Sequence, residues 1–361
     1  MIGAEKKSLD TPALLVDLDV MEANIARMAA ACRSGGVSWR PHTKGLKIPA
    51  IAHKALQAGA IGVTCAKLGE AEVMAAAGIR DILIANQIVT PEKIARLAGL
   101  RHHADVAVLV DDPSNVAALG AAARAAGVTL RVLIEIDIGM GRAGLRPGPA
   151  IRALADTIAQ TEGVRLAGVE GWEAHTTQIE DQREKAEAIA KAVGLLTDVA
   201  NTLRAAGFPI EIVSCGGTGT YQTTVRQPGV TEVQAGGGIL SDMRYRTKYH
   251  VDHPYSLTVM TTVTSRPTTQ RIICDAGKKT MSTDSGEPLP IGIEGPYRLG
   301  FSAEHVTVHL ERPNNILKVG DRLEFVVGYS DTTVHLHDEM IGTRDGRVEI
   351  IWPILGRGKL K

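Results

Sequence analysis

The segment "VAVLVDDPSNVAALGAAARAAGVTLRVLIEID", from Val106 to Asp137, has two aliphatic runs on either side of an alanine-rich stretch. The two runs have the length and β-branched composition of buried strands. The stretch between them has apolar residues at three- and four-residue spacing and ends at Gly127, as a helix does. A strand, a helix and a second strand in this order form a parallel pair, so the segment predicts a βαβ unit.

The same alternation of strand and helix extends from about residue 36 to residue 235. The eight strand candidates are Gly36–Arg40, Gly62–Cys65, Ile82–Ala85, Val106–Val110, Arg131–Asp137, Leu166–Trp172, Ile210–Ser214 and Glu232–Ala235. Eight such units favour a closed (β/α)8 barrel of the TIM type, although an open doubly wound sheet has the same local pattern. A further strand candidate, "PALLVDLD", comes before them with a helix of its own. We therefore predict the α/β class.

The sequence changes character after about residue 245. Six β-rich segments follow, joined by Gly, Pro and Asp turns: "YSLTVMTTVTSRP", "QRIICDAG", "HVTVHLER", "DRLEFVVG", "TTVHLHDEMIG" and "RVEIIWPI". No convincing helix separates them. We predict a barrel at residues 14–245 and an all-β domain at residues 246–361. The N-terminal strand, residues 1–13, is expected to join the β domain, because the termini of two-domain chains often meet.

The composition excludes several kinds of partner. Forty Lys and Arg residues balance 40 Asp and Glu residues, so no net field attracts nucleic acid or an anionic membrane. Aromatic residues make up only 3%, which is too few for platforms on which bases stack. The start lacks an apolar signal segment, and the four cysteines lie far apart without a CxxC pair. We expect a cytoplasmic protein that binds a small molecule, with no nucleic-acid or membrane partner.

Informative polar residues follow five of the predicted barrel strands. Lys44 follows the first strand, Arg142 the fifth and His175 the sixth. The glycine-rich segments "SCGGTGT" (Ser214–Thr220) and "QAGGG" (Gln234–Gly238) come at the seventh and eighth strands. Each has a plain alternative, as a solvated lysine, a surface arginine, a satisfied histidine or an ordinary turn. The carboxyl ends of barrel strands converge on the face that holds the active site, so the coincidence predicts a site.

The two glycine-rich segments predict a phosphate cradle. Glycines beside hydroxyl groups let backbone N–H groups surround a phosphate, and barrels commonly hold phosphate after strands seven and eight. The motif is neither a P-loop nor a Rossmann fingerprint, because it lacks the lysine of the first and the spacing of the second. A lysine can form a Schiff base with an aldehyde. A phosphate cradle and such a lysine together indicate pyridoxal 5′-phosphate (PLP).

Several segments resemble one family of enzymes across nearly the whole chain. They include "TPALLVDLDVMEANIARM", "RPHTKGLK", "GVTCAKLGEAEVMAAAGIRDILIANQIV", "IEIDIGMGRAG", "SCGGTGTY", "CDAGKKTMSTDSG" and "GRVEIIWPILGRGK". The chain resembles the D-threonine aldolase and D-serine dehydratase family, which are fold-type III PLP enzymes related to alanine racemase. The resemblance implies an alanine racemase-like barrel with a C-terminal β domain, and a homodimer.

The resemblance also implies a role for each residue of the predicted site. Lys44 would hold PLP as a Schiff base, Arg142 would lie near its phenolic oxygen, and His175 would lie against the pyridine face. The phosphate would be held by Ser214, Gly217, Thr218 and Gly219, with Gly236 and Gly237 assisting. Gln234 stands where alanine racemases place an arginine facing the ring nitrogen. A neutral glutamine there implies a weaker electron sink.

The sequence departs from the family at the position of a divalent metal (Mn²⁺, Mg²⁺ or Zn²⁺). The aldolases resembled have a metal-binding histidine two residues before an aspartate, and this chain has Tyr329 and Asp331 at that spacing. A protonated tyrosine is a poor ligand for such ions. His335 and His337 are nearby, and alternation along a strand would place both on the face of Asp331. We therefore expect a weakened or absent metal site.

The leading functional hypothesis is a PLP-dependent lyase acting on D-configured β-hydroxy-α-amino acids. The resemblance implies retro-aldol cleavage to glycine and an aldehyde, as in D-threonine aldolases. Elimination from D-serine or 3-hydroxyaspartate and amino-acid racemisation are the alternatives among enzymes. A PLP-binding homeostasis protein is the alternative that is not an enzyme, but such proteins resemble the barrel alone.

Overall fold

The computed structural model describes residues Met1–Lys361, which form two compact units. The first unit comprises Met1–Asn24 and Gly237–Arg357, and the second comprises Ile25–Gly236 and Gly358–Lys361. The first unit begins with a short 3-10 helix, Lys6–Ser8, and with strand β1, Ala13–Asp17. No helix of the chain combines the length and the apolar character that a membrane crossing needs.

The second unit is the predicted parallel barrel. Its strands are β2 (Ser38–Trp39), β3 (Val63–Cys65), β4 (Asp81–Gln87), β5 (Asp105–Val110), β6 (Leu130–Glu135), β7 (Val164–Glu170), β8 (Ile212–Cys215) and β9 (Glu232–Val233). They are hydrogen-bonded in the order β2-β9-β8-β7-β6-β5-β4-β3. A parallel bridge between His42 and Thr64 connects the two ends of this order. The eight-stranded parallel prediction is confirmed, and the open-sheet alternative is excluded.

Helices alternate with these strands, and several of them begin with a proline or an aspartate N-cap. They are α1 (Leu18–Ser34), α2 (Pro49–Gln57), α3 (Leu68–Ala76), α4 (Pro91–Leu100), α5 (Pro113–Ala125), α6 (Pro149–Gln160), α7 (Gln182–Ala205) and α8 (Tyr221–Thr224). Four of them have proline in the first turn, where the missing N–H costs nothing. At α5 the Asp112 carboxylate also accepts the N–H groups of Ser114 and Asn115.

The first unit is built on a nine-stranded mixed sheet. Its other strands are β10 (Leu257–Thr268), β11 (Arg271–Cys274), β12 (Leu289–Pro290), β13 (Tyr297–Phe301), β14 (Val306–Leu310), β15 (Arg322–Val326), β16 (Glu339–Arg344) and β17 (Arg347–Pro353). The main order is β13-β14-β11-β10-β1-β16-β17, and β15 pairs with β10 and β12. Strand β1 is antiparallel to β10 and parallel to β16, so it lies inside the sheet.

The two units differ in extent from the domains predicted at 14–245 and 246–361. Residues 14–24 and 237–245 belong to the unit with the mixed sheet. One reason is that β1 spans Ala13–Asp17 and is bonded on both sides to strands of that sheet, so the paired strand is not residues 1–13. Another is that Asp242, which precedes helix α9 (Met243–Thr247), accepts hydrogen bonds from Ser330.

The segment expected as a continuous strand, "TTVHLHDEMIG", was mispredicted at its start. Residues Ser330–Val334 form helix α10, and β16 begins only at Glu339. The backbone N–H and the hydroxyl of Ser330 each lie 2.7 Å from Asp242 Oδ2, which anchors the first turn of this helix. Asp331, His335 and His337 therefore do not alternate along a strand.

A buried ionic chain runs through the barrel unit. The Arg40 guanidinium is 2% exposed and lies 3.0 Å from the Glu232 carboxylate and 2.9 Å from the Asp81 carboxylate. Arg131 binds the same Asp81 at 2.6 Å. Burying an ion pair costs desolvation free energy. Removing only one partner costs much more stability, because the other charge then stays buried without a counter-charge.

Replacement of Arg40 by methionine should destabilise the barrel, because Glu232 would stay buried without its cation. We expect a loss of about 3–5 kcal/mol, as for other broken buried pairs. The melting temperature measured by calorimetry should fall accordingly. Arg165→Met is the matched control, since Arg165 pairs with Glu211 at 2.9 Å on the exposed surface. It should cost less than about 1 kcal/mol, and equal losses in the two variants would contradict the interpretation.

Candidate active site in the barrel

Lys44 follows β2 in a tight turn that distinguishes it from its neighbour Lys47. The Leu46 and Lys47 N–H groups both donate to the carbonyl of Thr43. Lys47 is buried, and its Nζ lies 3.1 Å from the carboxylate of Glu70. The same carboxyl group accepts the Thr43 hydroxyl at 2.6 Å. Lys47 is thus a structural cation, whereas the half-buried Lys44 extends toward another side chain.

That side chain is Trp172, which the sequence analysis does not identify. Lys44 Nζ lies 4.9 Å from the centroid of the indole ring, and the Arg142 guanidinium carbon lies 5.5 Å from it. Cations at these distances are attracted by the ring. The indole nitrogen is buried and has no hydrogen-bond partner. A side chain at Gly217 would begin 2.8 Å from that nitrogen. The barrel thus brings the predicted Lys44, Arg142 and Gly217 together around Trp172.

His175 lies against the loop that carries Arg142. It is exposed in a 3-10 helix, Ala174–Thr176. Its imidazole ring is the group nearest to the position that a Cβ on Gly139 would occupy. Gly139 has φ +128°, in a loop whose N–H groups at Gly139 and Gly141 donate to the Asp137 carboxylate at 3.0 and 2.9 Å. Asp137 therefore shapes the "GMGRAG" loop that carries Arg142, and His175 packs against that loop.

The predicted phosphate loop is organised from behind by Glu173, a buried carboxylate. It accepts the N–H of Gly216 at 3.2 Å and the hydroxyls of Thr220 and Thr224 at 2.6 Å each. Gly216 has φ +77°, which a residue with a side chain rarely adopts. The loop is thereby fixed without a ligand, while Thr218 within it is buried.

Two more predicted glycines are confined by close neighbours, Gly236 by backbone and Gly237 by a tyrosine side chain. A Cβ on Gly236 would lie 2.1 Å from the carbonyl oxygen of His42, so no side chain fits there. Burial, and secondarily the charges of Lys44 and Lys47, hold the pKa of His42 well below its ordinary value. Gly237 belongs to the other unit, where a Cβ would lie 2.1 Å from the Tyr245 hydroxyl.

The side chains of Ser214 and Gln234 continue the buried ionic chain. The Ser214 hydroxyl donates to Glu232 at 2.8 Å and accepts from Gln234 Nε2 at 2.9 Å. Gln234 Nε2 also donates to Glu170 Oε1 at 3.1 Å. Both N–H groups of the amide are therefore used, which leaves the amide oxygen as the group that can face a ligand. The Ser214 hydroxyl is likewise engaged within the protein.

Glu170 and Glu135, at the ends of β7 and β6, bring two buried carboxyl groups to the same region. Burial, reinforced by the charge of Glu135, raises the pKa of Glu170 to about 8. Burial also raises the pKa of Glu135, although it accepts a hydrogen bond from Gln87 and lies 3.7 Å from Arg142. One oxygen of the Glu170 carboxyl group is buried and has no hydrogen-bond partner in the protein. A protonated carboxyl group could use this oxygen to bind a ligand.

Comparison with known families places this geometry in context. Residues 16–242 match the alanine racemase N-terminal domain, and residues 256–343 match a serine dehydratase domain. The chain is 35% identical over 354 residues to a D-threonine aldolase of Arthrobacter sp., covering 97% of this chain and 93% of that protein.

The chain belongs to the D-threonine aldolase and D-serine dehydratase family. A 3-hydroxy-D-aspartate aldolase of Paracoccus denitrificans is 34% identical, with 99% of this chain and 94% of that protein covered. The solved D-threonine aldolase of Filomicrobium marinum is 35% identical and superimposes with a TM-score of 0.96 over 100% of this chain and 99% of that one. A D-threo-3-hydroxyaspartate dehydratase from Delftia sp. is 29% identical, with a TM-score of 0.87 over 97% and 99%.

The residues at the position where the resemblance places a metal are engaged in other contacts within the protein. The Tyr329 hydroxyl donates to Asp331 Oδ2 at 2.9 Å. Burial and the Asp331 charge raise the pKa of Tyr329 far above its ordinary value, so it remains a neutral phenol. His335 ends helix α10, and His337 Nε2 lies 2.9 Å from the Thr280 carbonyl. No three His, Cys, Asp or Glu side chains in the chain converge as ligands.

The raised pKa of Glu170 predicts a pH-dependent stability. Between about pH 4.5 and 8 the folded protein retains a proton that the unfolded chain releases, so stability falls as pH rises. Glu170→Gln, which cannot ionise, should flatten this decline in melting temperature measured without cofactor.

Glu92→Gln serves as the control for this measurement, because Glu92 is exposed in the first turn of α4. It should leave the slope of melting temperature against pH unchanged. A Glu170→Gln protein with the full decline of the native protein would show that Glu170 is ionised throughout the range.

Proposed function

We propose that this protein is a PLP-dependent lyase that cleaves D-configured β-hydroxy-α-amino acids into glycine and an aldehyde. The observation that carries the proposal is the grouping of Lys44, Arg142 and the glycine loop around Trp172. The aldolase relatives, which match almost the whole chain, support the same reaction.

The residues present fit the cofactor. Trp172 offers a buried N–H without a partner, next to a glycine whose side chain would cover it. We propose that Lys44 carries the aldehyde carbon and that the loop of Gly217, Thr218 and Gly219 holds the phosphate, assisted by Gly236 and Gly237. Ser214 supports this loop from the ionic chain, since its hydroxyl is already engaged.

When bound, PLP supplies an electron sink for the bond that breaks. Arg142 brings a fixed positive charge to the mouth of the barrel, where a phenolate oxygen would be stabilised. Trp172 would offer an apolar ring to a cofactor held between Lys44 and Arg142, and we keep for His175 the place at the pyridine face that the resemblance implies. Gln234 would meet the ring nitrogen with its amide oxygen, because its N–H groups are held by Ser214 and Glu170.

The proton of the β-hydroxyl must be removed for retro-aldol cleavage. The family resemblance assigns this step to the metal at the positions of Tyr329 and Asp331, which do not fit a metal here, so we propose on that resemblance alone that the hydrogen-bonded pair takes it over. Asp331 accepts the proton, and Tyr329 orients the carboxylate through the 2.9 Å hydrogen bond. Elimination would require loss of hydroxide, which a Lewis acid assists. The Tyr–Asp pair therefore favours cleavage over dehydration.

We also propose the cellular setting and assembly. All four cysteines are free and buried, as suits the reducing cytoplasm. A homodimer acting on a small amino acid is the form that the family resemblance implies. Size-exclusion chromatography with light scattering checks the dimer.

Tryptophan fluorescence should report cofactor binding at Trp172. The chain has three tryptophans, and Trp39 and Trp352 are the others. Added PLP should quench the emission of the native protein, and Trp172→Phe should remove the larger part of this quenching. Retention of PLP on gel filtration should be lost in Lys44→Ala.

Trp352→Phe is the control, since Trp352 lies in β17 of the other unit. It should lower the total emission but leave the fractional quenching by PLP nearly unchanged. Full quenching in Trp172→Phe would show that Trp172 does not belong to the cofactor site. Retention of PLP by Lys44→Ala would show that Lys44 does not hold the cofactor.

Product analysis tests the reaction itself. The PLP-loaded protein should convert D-threonine or 3-hydroxy-D-aspartate into glycine and an aldehyde, at a rate that EDTA leaves unchanged. Asp331→Asn should reduce kcat by about 100-fold or more, as loss of a general base does.

Other outcomes assign other reactions. Formation of ammonia and a keto acid would show that the protein is a dehydratase. A mixture of enantiomers from one pure enantiomer would show a racemase, and absence of any product would indicate a PLP carrier. Loss of activity in EDTA would mean that a metal binds near Asp331 after all. Tyr329→His, which restores the ligand type of the aldolases, should then strengthen the metal dependence.

A further inference from the structure

The Gln234 side chain is held in one orientation by a chain of buried hydrogen bonds that begins at Arg40. A guanidinium can only donate, and the Glu232 carboxylate beside it, at 3.0 Å, can only accept. The Ser214 hydroxyl lies 2.8 Å from Glu232 and therefore donates to that carboxylate. Since its proton is used, the Ser214 oxygen can only accept, and Gln234 Nε2 lies 2.9 Å from it. The nitrogen of the amide thus belongs on the side of Ser214.

A second contact holds the same end of the amide. Gln234 Nε2 also lies 3.1 Å from Glu170 Oε1. Burial, reinforced by the charge of Glu135, raises the pKa of Glu170 to about 8, so this carboxyl group is mainly neutral at neutral pH. A neutral carboxyl group still accepts a hydrogen bond at its carbonyl oxygen. Both N–H groups of the amide are therefore used, and its oxygen is left for a ligand.

The reversed orientation of the amide is disfavoured by a charge. It would place the amide oxygen beside Ser214, whose proton would then have to turn away from Glu232. The Glu232 carboxylate is 3% exposed, so water does not replace the lost donor. The lost bond would be charge-assisted and roughly twice as strong as a bond between neutral groups. The orientation of Gln234 is therefore set before any ligand arrives.

We propose that Gln234 acts only as a hydrogen-bond acceptor toward the ring nitrogen of PLP, so that the protein binds the cofactor with this nitrogen protonated. This rests on the proposed function, in which Gln234 meets the ring nitrogen with its amide oxygen. An unprotonated pyridine nitrogen is itself an acceptor, so two buried acceptors would face each other without a proton between them. A protonated ring nitrogen donates a charge-assisted hydrogen bond to the amide oxygen.

The consequence for the cofactor differs from the one that the charge of Gln234 suggests. A neutral side chain at this position implies a weaker electron sink, because it brings no negative charge that would hold the ring proton. The fixed orientation of the amide supplies the same effect through a hydrogen bond. A protonated ring withdraws electrons more strongly, which supports the proposed bond cleavage.

Gln87 provides a matched control for the loss of a buried amide. Its Nε2 donates to Asp111 at 3.1 Å and to Glu135, so it is also an amide whose nitrogen is shared by two carboxyl groups of the barrel unit. Gln87→Met and Gln234→Met remove the same chemical group. Only the second variant removes the proposed acceptor.

The test is the nitrogen-15 resonance of ring-labelled PLP bound to the native protein at neutral pH. The ring nitrogen of a PLP Schiff base in water is unprotonated under these conditions, and protonation moves its resonance far upfield. The native protein and Gln87→Met should show the upfield resonance. Gln234→Met should show the unprotonated one, because loss of a charge-assisted hydrogen bond lowers the pKa of the ring nitrogen by about 1 to 2.

An unprotonated resonance in the native protein would overturn the proposal, and this measurement needs no variant to fold. An upfield resonance in Gln234→Met would overturn it too, since another group would then hold the ring proton. A change of equal size in both variants would show that the effect is not specific to Gln234.

The absorbance of the bound cofactor separates this proposal from the proposed function. A Schiff-base band in the native protein that Lys44→Ala removes is expected from the proposed function. Absence of this band would contradict that function, whereas a band together with an unprotonated ring would overturn only the role of Gln234.

Discussion

Arg40 supports the barrel and its mouth through one continuous set of charged hydrogen bonds. Its guanidinium joins Asp81, in β4, to Glu232, in β9, and from Glu232 the chain passes to Ser214 and Gln234. The arginine can only donate and the Glu232 carboxylate only accepts, so the Ser214 hydroxyl donates to Glu232 and accepts from the Gln234 amide. The orientation of an amide at the mouth is thus fixed by a cation inside the barrel.

The candidate site combines groups fixed from behind with groups left open in front. Glu173 holds the glycine loop, Asp137 the loop of Arg142, and Glu70 the turn of Lys44. All three are carboxylates whose oxygens accept N–H or O–H groups of the loop or turn that they hold. Such supports let a site present donors to an anionic cofactor without rearrangement when it binds.

The sequence predicts the barrel well because the βαβ pattern is local. The eight strands and the polar clusters at their ends follow from periodicity and from the rule that barrel loops converge. Trp172, Glu70 and Glu173 are missed because their partners lie in other loops. Glu170 is missed as well, although a glutamate at the end of an apolar strand, as in "GVEGWEAH", signals a buried carboxyl group. Helix α10 is missed because its anchor, Asp242, is 88 residues away.

The position of strand β1 inside the mixed sheet constrains the order in which this sheet can assemble. It is translated before all the barrel strands, yet it lies between β10 and β16, with Leu15 opposite Thr258 on one side and Ile341 on the other. Both neighbours are translated only after the barrel strands are complete. Strand β1 can therefore pair with its neighbours in the sheet only after the whole barrel has been translated, and the mixed sheet closes around it late.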